Sequence, residues 1–306
     1  MRWEDTKQSI KEFLFEFKQK KIGVLGITFL VVLVTITLIA PFIASPKARE
    51  NWRSMAYWDE NPVNAPPAWQ NYFSKRDMAP HLIMEDFKEN VTDLGEGITQ
   101  DQLVFTYNYP YDVPPTDLTL KMKMVYYNET KKPSINVSMH RPDGKKVKLY
   151  SKSVSSGKQV DDHFVSSVNV LLTKSDTTKE ETYNFGRKFE SKENMEEVLS
   201  PSFVKPMRVL FSKTEPGILI GDAEPLNGEY KLVIDLFFFD GRDSVRSAKA
   251  IFAGKVYGLL GTDDSRRNLF EGLIWGTQWA LILGLLTAFI TVSLGISFGI
   301  TSAYLG

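Results

Sequence analysis

Three histidines, His81, His140 and His163, are the only imidazoles in the chain, and cysteine is absent. Disulfides, thiolate catalysis and cysteine metal sites are therefore excluded. The one local combination with ligand chemistry is Asp161-Asp162-His163, two carboxylates beside an imidazole. Adjacent side chains point in different directions and no second cluster stands at ligand spacing, so a solvated surface is the better reading than a metal site. No Gly-x-Ser-x-Gly, His-Glu-x-x-His, Walker or dinucleotide pattern occurs, and no catalytic residue, cofactor or metal is assigned. Asn90, Asn128 and Asn136 begin Asn-x-Ser/Thr sequons, which agree with an outside location without establishing one.

What positions these residues is set by the distribution of charge. Residues 1 to 21 hold six Lys/Arg and four Asp/Glu, and residues 45 to 271 hold the other 31 and 33, a net charge of −2 for that stretch. This balance gives no electrostatic case for nucleic acid. Ile22 to Ala44 and Gly272 to Gly306 carry no charge at all. The first of these runs has 23 residues, more than the roughly 20 a helix needs to cross about 30 Å of hydrocarbon. It is also longer than the apolar core of a signal peptide and follows too long a polar lead, so it reads as a transmembrane helix rather than a cleaved leader. The second run, 35 residues, has room for a span and several further turns.

Lys18, Lys20 and Lys21 crowd the entrance to the first span, and the positive-inside tendency puts the N-terminus in the cytoplasm with residues 45 to about 270 outside. In the lead, Ser9 and Glu12 form a capping box, and Ile10, Phe13, Leu14 and Phe17 fall on one helical face. That face fits the inner membrane surface or a partner subunit, and a plain cytosolic extension of the first span reads equally well. After the span, Pro46, Pro62, Pro66, Pro67 and Pro80 with Trp52, Trp58 and Trp69 predict an irregular, extended segment.

From about 100 to 257 the pattern is β-like. Leu118, Leu120, Met122, Met124 and Tyr126 alternate with Thr119, Lys121, Lys123 and Val125, the period of a half-buried strand. Ile135, Val137 and Met139 continue it. Arg141-Pro-Asp-Gly144 reads as a hairpin turn leading to Val147 and Leu149. Tyr230 to Phe239 and Ala248 to Tyr257 are further strands, and a β-sandwich is expected. Only Ser191 to Leu199, and in one reading Asp161 to Leu172, look helical.

Leu260-Gly-Thr-Asp-Asp264 reads as a tight turn, with Asp263 or Asp264 able to cap a helix that starts near Ser265. Trp275 and Trp279 mark the headgroup level on the way in, and Tyr304 the opposite surface. Gly284 and Ala288, then Gly295, Gly299 and Ala303, recur at a spacing of four, which lets a second helix backbone approach closely. The expected organisation is a cytoplasmic lead (1–21), a first transmembrane helix (22–44) and an extended outer linker (45–99). An extracytoplasmic β domain (100–258), an outer turn with an interfacial helix (259–278) and a second transmembrane helix (279–305) follow. The fold class is thus an α-helical membrane protein of two transmembrane helices with an inserted, mainly-β, sandwich-like extracytoplasmic domain.

The run Leu260, Gly261, Thr262, Asp263, Asp264, then Arg267, Leu273, Gly276, Leu281 and Gly284 resembles the segment leading into the second membrane helix of dipeptide/oligopeptide (and nickel) ABC importer permeases. The likeness is to the second permease subunit, in its archaeal branch. The first span ending in Ala-Pro-Phe, Asn61-Pro62 and Ala65-Pro-Pro-Ala-Trp69 are similar to that family too. Arg266-Arg267-Asn268 stands where the family commonly has Gly-Arg-Asp, Glu271-Gly272 replaces Ser-Arg, and Gln278 replaces a later Arg. The insertion between the spans is large for the family. The resemblance implies a second permease subunit, two ATP-binding subunits, an extracellular substrate-binding protein and the lipid bilayer as partners. The family's later helices and ATPase-docking loop have no counterpart here, so a further polypeptide carrying them is expected. Two other readings stand beside the importer component: a membrane-anchored recognition domain without transport, and a surface enzyme, which the lack of any nucleophile or metal constellation disfavours.

Overall fold

A computed structural model describes residue 15 and residues 17–198 and 200–305. The capping box at Ser9 and Glu12, with Ile10, Phe13 and Leu14, lies outside the described residues. The chain divides into two units, one of residues 1–57 with 268–306 and one of residues 58–267.

The first unit is helical. Helix α1 (Lys21–Ile43) is uncharged after its first residue and runs through Pro41 before stopping. Ser45 is extended, and Pro46 then opens the short α2 (Pro46–Glu50) from its first turn, where a missing N–H costs nothing. Among the described residues, two helices are long and apolar enough to cross a membrane: α1 and the last helix, Leu269–Leu305. That last helix has 37 residues and extends about 55 Å at 1.5 Å per residue. The expected separate interfacial helix is therefore the first turns of one continuous helix. Its start is Leu269 rather than Ser265, because the Asn268 side chain, not Asp263 or Asp264, accepts the Phe270 N–H at 3.1 Å. Within this unit Ala40 and Ala44 pack on Ile274 and Trp275, flanked by Ile36 and Phe270. The Trp275 indole donates to the Ser45 carbonyl at 3.0 Å, and the Arg49 guanidinium lies 5.2 Å from its ring centre. A Cβ on Gly272 would fall 2.3 Å from the Trp52 ring, so a larger residue there would force the indole to move.

The second unit is two five-stranded antiparallel sheets. One has the order β1 (Leu82–Met84), β10 (Ser244–Ala253), β4 (Asp117–Tyr126), β8 (His163–Leu171), β7 (Lys158–Val160). The other has β2 (Lys88–Gly95), β3 (Ile98–Tyr109), β9 (Gly228–Phe238), β5 (Ser134–His140), β6 (Lys146–Ser153). The alternation read in 118–126 is realised: Leu118, Leu120, Met122 and Met124 are buried, and Lys121 and Lys123 face away. They meet Leu103, Phe105, Ile135, Val137, Leu232 and Ile234 from the other sheet in one core, as a sandwich of inward-facing alternate residues requires.

Three segments differ from expectation. The stretch 45–99 contains β1, β2 and a 3-10 turn at Ala68–Phe73; both strands are short or solvent-facing edges, so they carry little apolar periodicity. Asp161 to Leu172 is not helical, because β8 pairs along its length with β4 from Phe164 to Leu171. Helix α3 (Asp176–Gly186) was not legible, since it buries Thr178, Thr182, Phe185 and Gly186, a face made largely of threonine. The Thr178 hydroxyl donates to the Leu149 carbonyl of β6 at 2.6 Å, so α3 lies along that edge strand and protects it from further pairing. Helices α4 (Lys192–Glu197, capped by Ser191) and α5 (Pro206–Phe211) follow.

The Arg141-Pro-Asp-Gly144 turn forms as read, with Gly144 at φ 77°. Its arginine does more than the sequence implied. The Arg141 side chain is fully buried and donates to the carbonyls of Val209 (2.8 Å), Leu210 (2.7 Å) and Ser212 (2.6 Å). It closes the C-terminal end of α5, whose last carbonyls have no helical partner. Burial acts upward on the Asp143 carboxyl, but hydrogen bonds and charge from Arg141, with Lys145, outweigh it and hold the group below its ordinary range. Glu190 is similarly held down: burial raises it, and the N–H groups of Gly217, Leu219 and Ser191 and the Asn194 amide outweigh that.

Candidate functional site

Two of the segments carrying the resemblance, residues 61–69 and 260–267, are bonded to each other. Thr262 is buried, donates its hydroxyl to the Pro62 carbonyl at 2.8 Å and accepts the Ala65 N–H at 3.0 Å. Its own N–H reaches the Ala65 carbonyl at 2.8 Å, and Asn64 N–H donates to the Asp263 carbonyl at 3.0 Å. Further along, Tyr257 N–H donates to Pro66 (2.9 Å), Ala68 N–H to Gly258 (2.9 Å), and the Trp69 indole to Leu259 (2.9 Å). Segment 257–263 is thus laced to segment 61–69, some two hundred residues earlier.

Three positions explain why these residue types stand here. Gly261 has φ 78°, and a Cβ on it would sit 2.2 Å from the Ala65 carbonyl oxygen; conformation and space both demand glycine. The Asp263 carboxylate accepts the N–H groups of Ser265 (3.0 Å) and Arg267 (2.8 Å) and the Arg267 Nε at 2.7 Å. It closes a loop rather than capping a helix. Arg266 has φ 63°, at the position where the resemblance carries glycine. A side chain there costs roughly 1–2 kcal/mol of backbone strain, which its guanidinium offsets by donating to the Asp59 (3.1 Å) and Asn61 (2.7 Å) carbonyls. The Asn61 amide returns a bond to the Arg266 carbonyl at 3.0 Å.

The start of the earlier segment is pinned to the sheet. Lys121 on β4 bridges Asp59 (2.7 Å) and Glu60 (3.1 Å), so the polar face read from its alternation holds this strap. Asp264 is exposed, with the Ser265 hydroxyl at 3.2 Å its partner among the described residues, and Leu260 is exposed as well. The arrangement offers no nucleophile and no acid–base pair. Its chemistry is mechanical: the two chain ends of the unit, near Asp59 and Arg266, are hydrogen-bonded to each other.

The remaining expected site residues lie in the helical unit. Trp275 is buried in the seam between the helices, whereas Trp279 and Tyr304 are exposed. A Cβ added at Gly276, Gly284, Gly295 or Gly299 meets open space, and Ala288 and Ala303 are exposed. The small-residue stripe is therefore brought against nothing among the described residues. Asp161-Asp162-His163 is a hairpin: Val160 pairs with His163, and Asp161 takes φ 52° in the two-residue loop. Its Asp162 and His163 side chains contact each other at 3.2 Å, and among the described residues no group of three or more ligating side chains is placed to hold a metal.

Residues 9–67 match the family described as the N-terminal TM domain of oligopeptide transport permease C. The match covers the first span and ends within the laced segment, so Thr262 and its neighbours bond to residues inside the matched region from outside it. No curated protein matches the sequence. Among solved structures, infectious bursal disease virus Gt strain aligns at TM-score 0.25 and 11% identity over 56% of this chain and 31% of that one. A non-crystalline cellulose specific carbohydrate-binding module aligns at TM-score 0.22 and 10% identity over 65% of this chain and 97% of that one. This chain spans about a third of the viral chains it matches. Likeness this weak carries no argument.

Proposed function

We propose that the chain is a membrane permease component of an ABC-type importer of peptides. The observation that carries this reading is the lacing of residues 257–266 to residues 59–69, because it joins the family-matched segment to the motif-like run before the second span. In this reading α1 and the last helix, α6 (Leu269–Leu305), cross the plasma membrane. The N-terminus is cytoplasmic, and residues 45 to about 270 lie outside.

The strap lets a large outer unit be inserted between two spans without disturbing them, since its entry and exit are held side by side. Gly284, Ala288, Gly295, Gly299 and Ala303 then form the face for a second permease subunit, as small residues allow close helix approach. Trp279 and Tyr304 sit at the two headgroup levels, with Trp275 turned into the seam. Two ATP-binding subunits and an extracellular substrate-binding protein complete the assembly, and the chain itself is not an enzyme.

Affinity purification of the tagged chain from native membranes tests this. Recovery of a second permease and two ATP-binding subunits is expected. A second reading, a membrane-anchored outer recognition domain without transport, is favoured by the self-contained sandwich. It predicts a solitary chain in the same purification.

A further inference from the structure

The helical unit carries an open groove at one end of its spans. About 230 Å³ in volume, it is lined by Arg49, Trp52, Gly272, Trp275, Gly276 and Trp279. Gly272, Gly276 and Trp279 stand at i, i+4 and i+7 on α6, so they share one helical face. The Trp52 ring lies over Gly272, and the Arg49 guanidinium stands 5.2 Å from the Trp275 ring centre. Trp275 is held in place by its indole bond to the Ser45 carbonyl. Above Gly276 there is open space, and Trp279 is 61% exposed. Farther along the span Leu283, Leu286 and Ile290 continue the same face, and all three are exposed. The groove is smaller than the roughly 300–1,000 Å³ of a small-ligand pocket. It therefore suits one end of a long molecule whose remainder lies along the helix.

The two helices fix the depth of this groove. Helix α1 ends at Ile43, and Ala40 and Ala44 pack on Ile274 and Trp275, so the last turn of α1 is level with the wall formed by residues 272–279. The 23 residues of α1 extend about 34 Å at 1.5 Å per residue, little more than the roughly 30 Å of hydrocarbon they have to cross. The end of α1 therefore lies at the edge of the apolar layer, and the groove straddles that edge. Tryptophan favours this depth, which accounts for Trp52, Trp275 and Trp279 meeting there. Charge adds a second constraint. Residues 45–53 carry Lys47, Arg49 and Arg53 against Glu50, a net charge of +2. Arg49 is exposed and has no carboxylate partner among the described residues. The nearby Glu271 carboxylate is engaged instead by the Ser45 N–H and the Asn268 amide. The groove thus presents a cation and aromatic walls at the membrane boundary, with bare apolar helix beneath them.

We propose that this groove is a binding site for a membrane phospholipid with an anionic headgroup. Arg49 takes the phosphate, Trp52 and Trp279 flank the glycerol region, and one acyl chain follows the open face from Gly276 through Leu283 to Ile290. Arginine suits the phosphate because its planar fork can give two parallel hydrogen bonds. The net positive charge around it favours a headgroup that brings no cation of its own. A membrane lipid is the occupant because it supplies phosphate and hydrocarbon together at this depth. The site leaves the small-residue face free. At 3.6 residues per turn, Gly284 and Gly295 lie about a third of a turn around α6 from the line of Gly276, Leu283 and Ile290, so a lipid and a packed helix can be held at once. In the topology proposed above, the lipid belongs to the outer leaflet. The inference needs both helices to span a membrane, and it does not need the importer reading.

The test is native mass spectrometry of the full chain, released from detergent micelles into which dioleoylphosphatidylglycerol has been titrated. One saturable lipid adduct is expected, held about threefold or more tighter than dioleoylphosphatidylcholine. Arg49→Gln weakens it about fivefold or more, the loss of one contact between a cation and the phosphate. Gly276→Leu fills open space and weakens the adduct to a similar extent with the cation intact. Lys20→Gln removes a cation at the far end of α1 and leaves the adduct unchanged. Inorganic phosphate in millimolar excess does not displace the lipid; displacement would make free phosphate the ligand and overturn the lipid assignment. Equal binding of the two lipids, or equal weakening by Lys20→Gln, overturns a charge-selecting site at Arg49. No saturable adduct overturns the proposal outright, and if Gly276→Leu then also reduces recovery of a second permease subunit from native membranes, the groove belongs to a protein partner. Because the lipid titration involves no other subunit, its failure leaves the importer reading standing, and failed copurification leaves this one standing.

Discussion

Between residues 58 and 267, Phe105, Tyr109, Tyr126, Phe211, Tyr230, Phe238 and Phe252 are almost wholly buried, whereas α1 and α6 leave Phe29, Leu38, Phe42, Phe289, Phe298 and Ile300 exposed. Both regions are rich in large apolar side chains, yet only the first hides them within the chain. The sandwich meets the hydrophobic requirement by folding on itself and spends its polar groups on specific internal contacts such as Arg141, Glu190 and Thr262. The helices satisfy their backbone internally and present apolar surface on all sides, which is stable only in an apolar solvent or against other helices. Stability of the β unit therefore resides in named residues, and that of the helical unit in its surroundings.

The sharpest test of that contrast is Arg141→Met. Leaving three helix-end carbonyls and Asp143 without the guanidinium is expected to destabilise the β unit by about 3–5 kcal/mol. Chemical unfolding followed by tryptophan fluorescence should shift strongly, while the helical signal of the spans in detergent stays unchanged. Equal loss in both would break the comparison.

Acid comes next in size. The His81 pKa is depressed to about 4 from 6.5 by burial, so between those values the unfolded state binds the extra proton. Stability contributed by neutral His81 is present above pH 6.5 and is lost as pH falls toward 4, up to about 3 kcal/mol. The pH dependence of melting in this window should be flattened in His81→Phe. Asp143 and Glu190, both held below their ordinary range, add a further loss at lower pH, as the folded carboxylates are protonated.

Thr262→Val keeps shape and strands the Pro62 carbonyl and Ala65 N–H, at a cost of about 2 kcal/mol. Thr262→Ser should recover most of it, and hydrogen exchange should rise at Asn64, Ala65 and Ala68. Unchanged exchange would mean that the strap does not depend on this hydroxyl. The smallest effect on the β unit belongs to Gly284→Leu with Gly295→Leu. These meet open space and should change its melting by under about 0.5 kcal/mol, while reducing recovery of a second permease subunit. A loss of β-unit stability there would tie the two regions together.

Much of this was legible beforehand. The two uncharged runs set both spans, because length and absence of charge suffice for a helix in lipid. Strands at 117–126, 134–140 and 228–238 were legible because one face is buried and one is wet. Helix α3 was not, since threonine hydroxyls bonded to backbone replace the aliphatic stripe that periodicity detects, and β8 was ambiguous because its faces are unevenly buried. Of the site, the residue types were visible at Gly261, Thr262 and Asp263, but not what they touch. Arg266 stood out only as a departure from the resemblance and His81 only as one of three imidazoles, with nothing to show what either would touch.

The amino-acid sequence by itself determined where lipid-compatible helices can exist, how long they are, and which side of several strands turns inward, since each depends on local pattern and length. Only the tertiary structure decided that residues 59–69 and 257–267 form one strap. That fact rests on backbone N–H and C=O groups, which nearly every residue carries alike, meeting across distant parts of the chain.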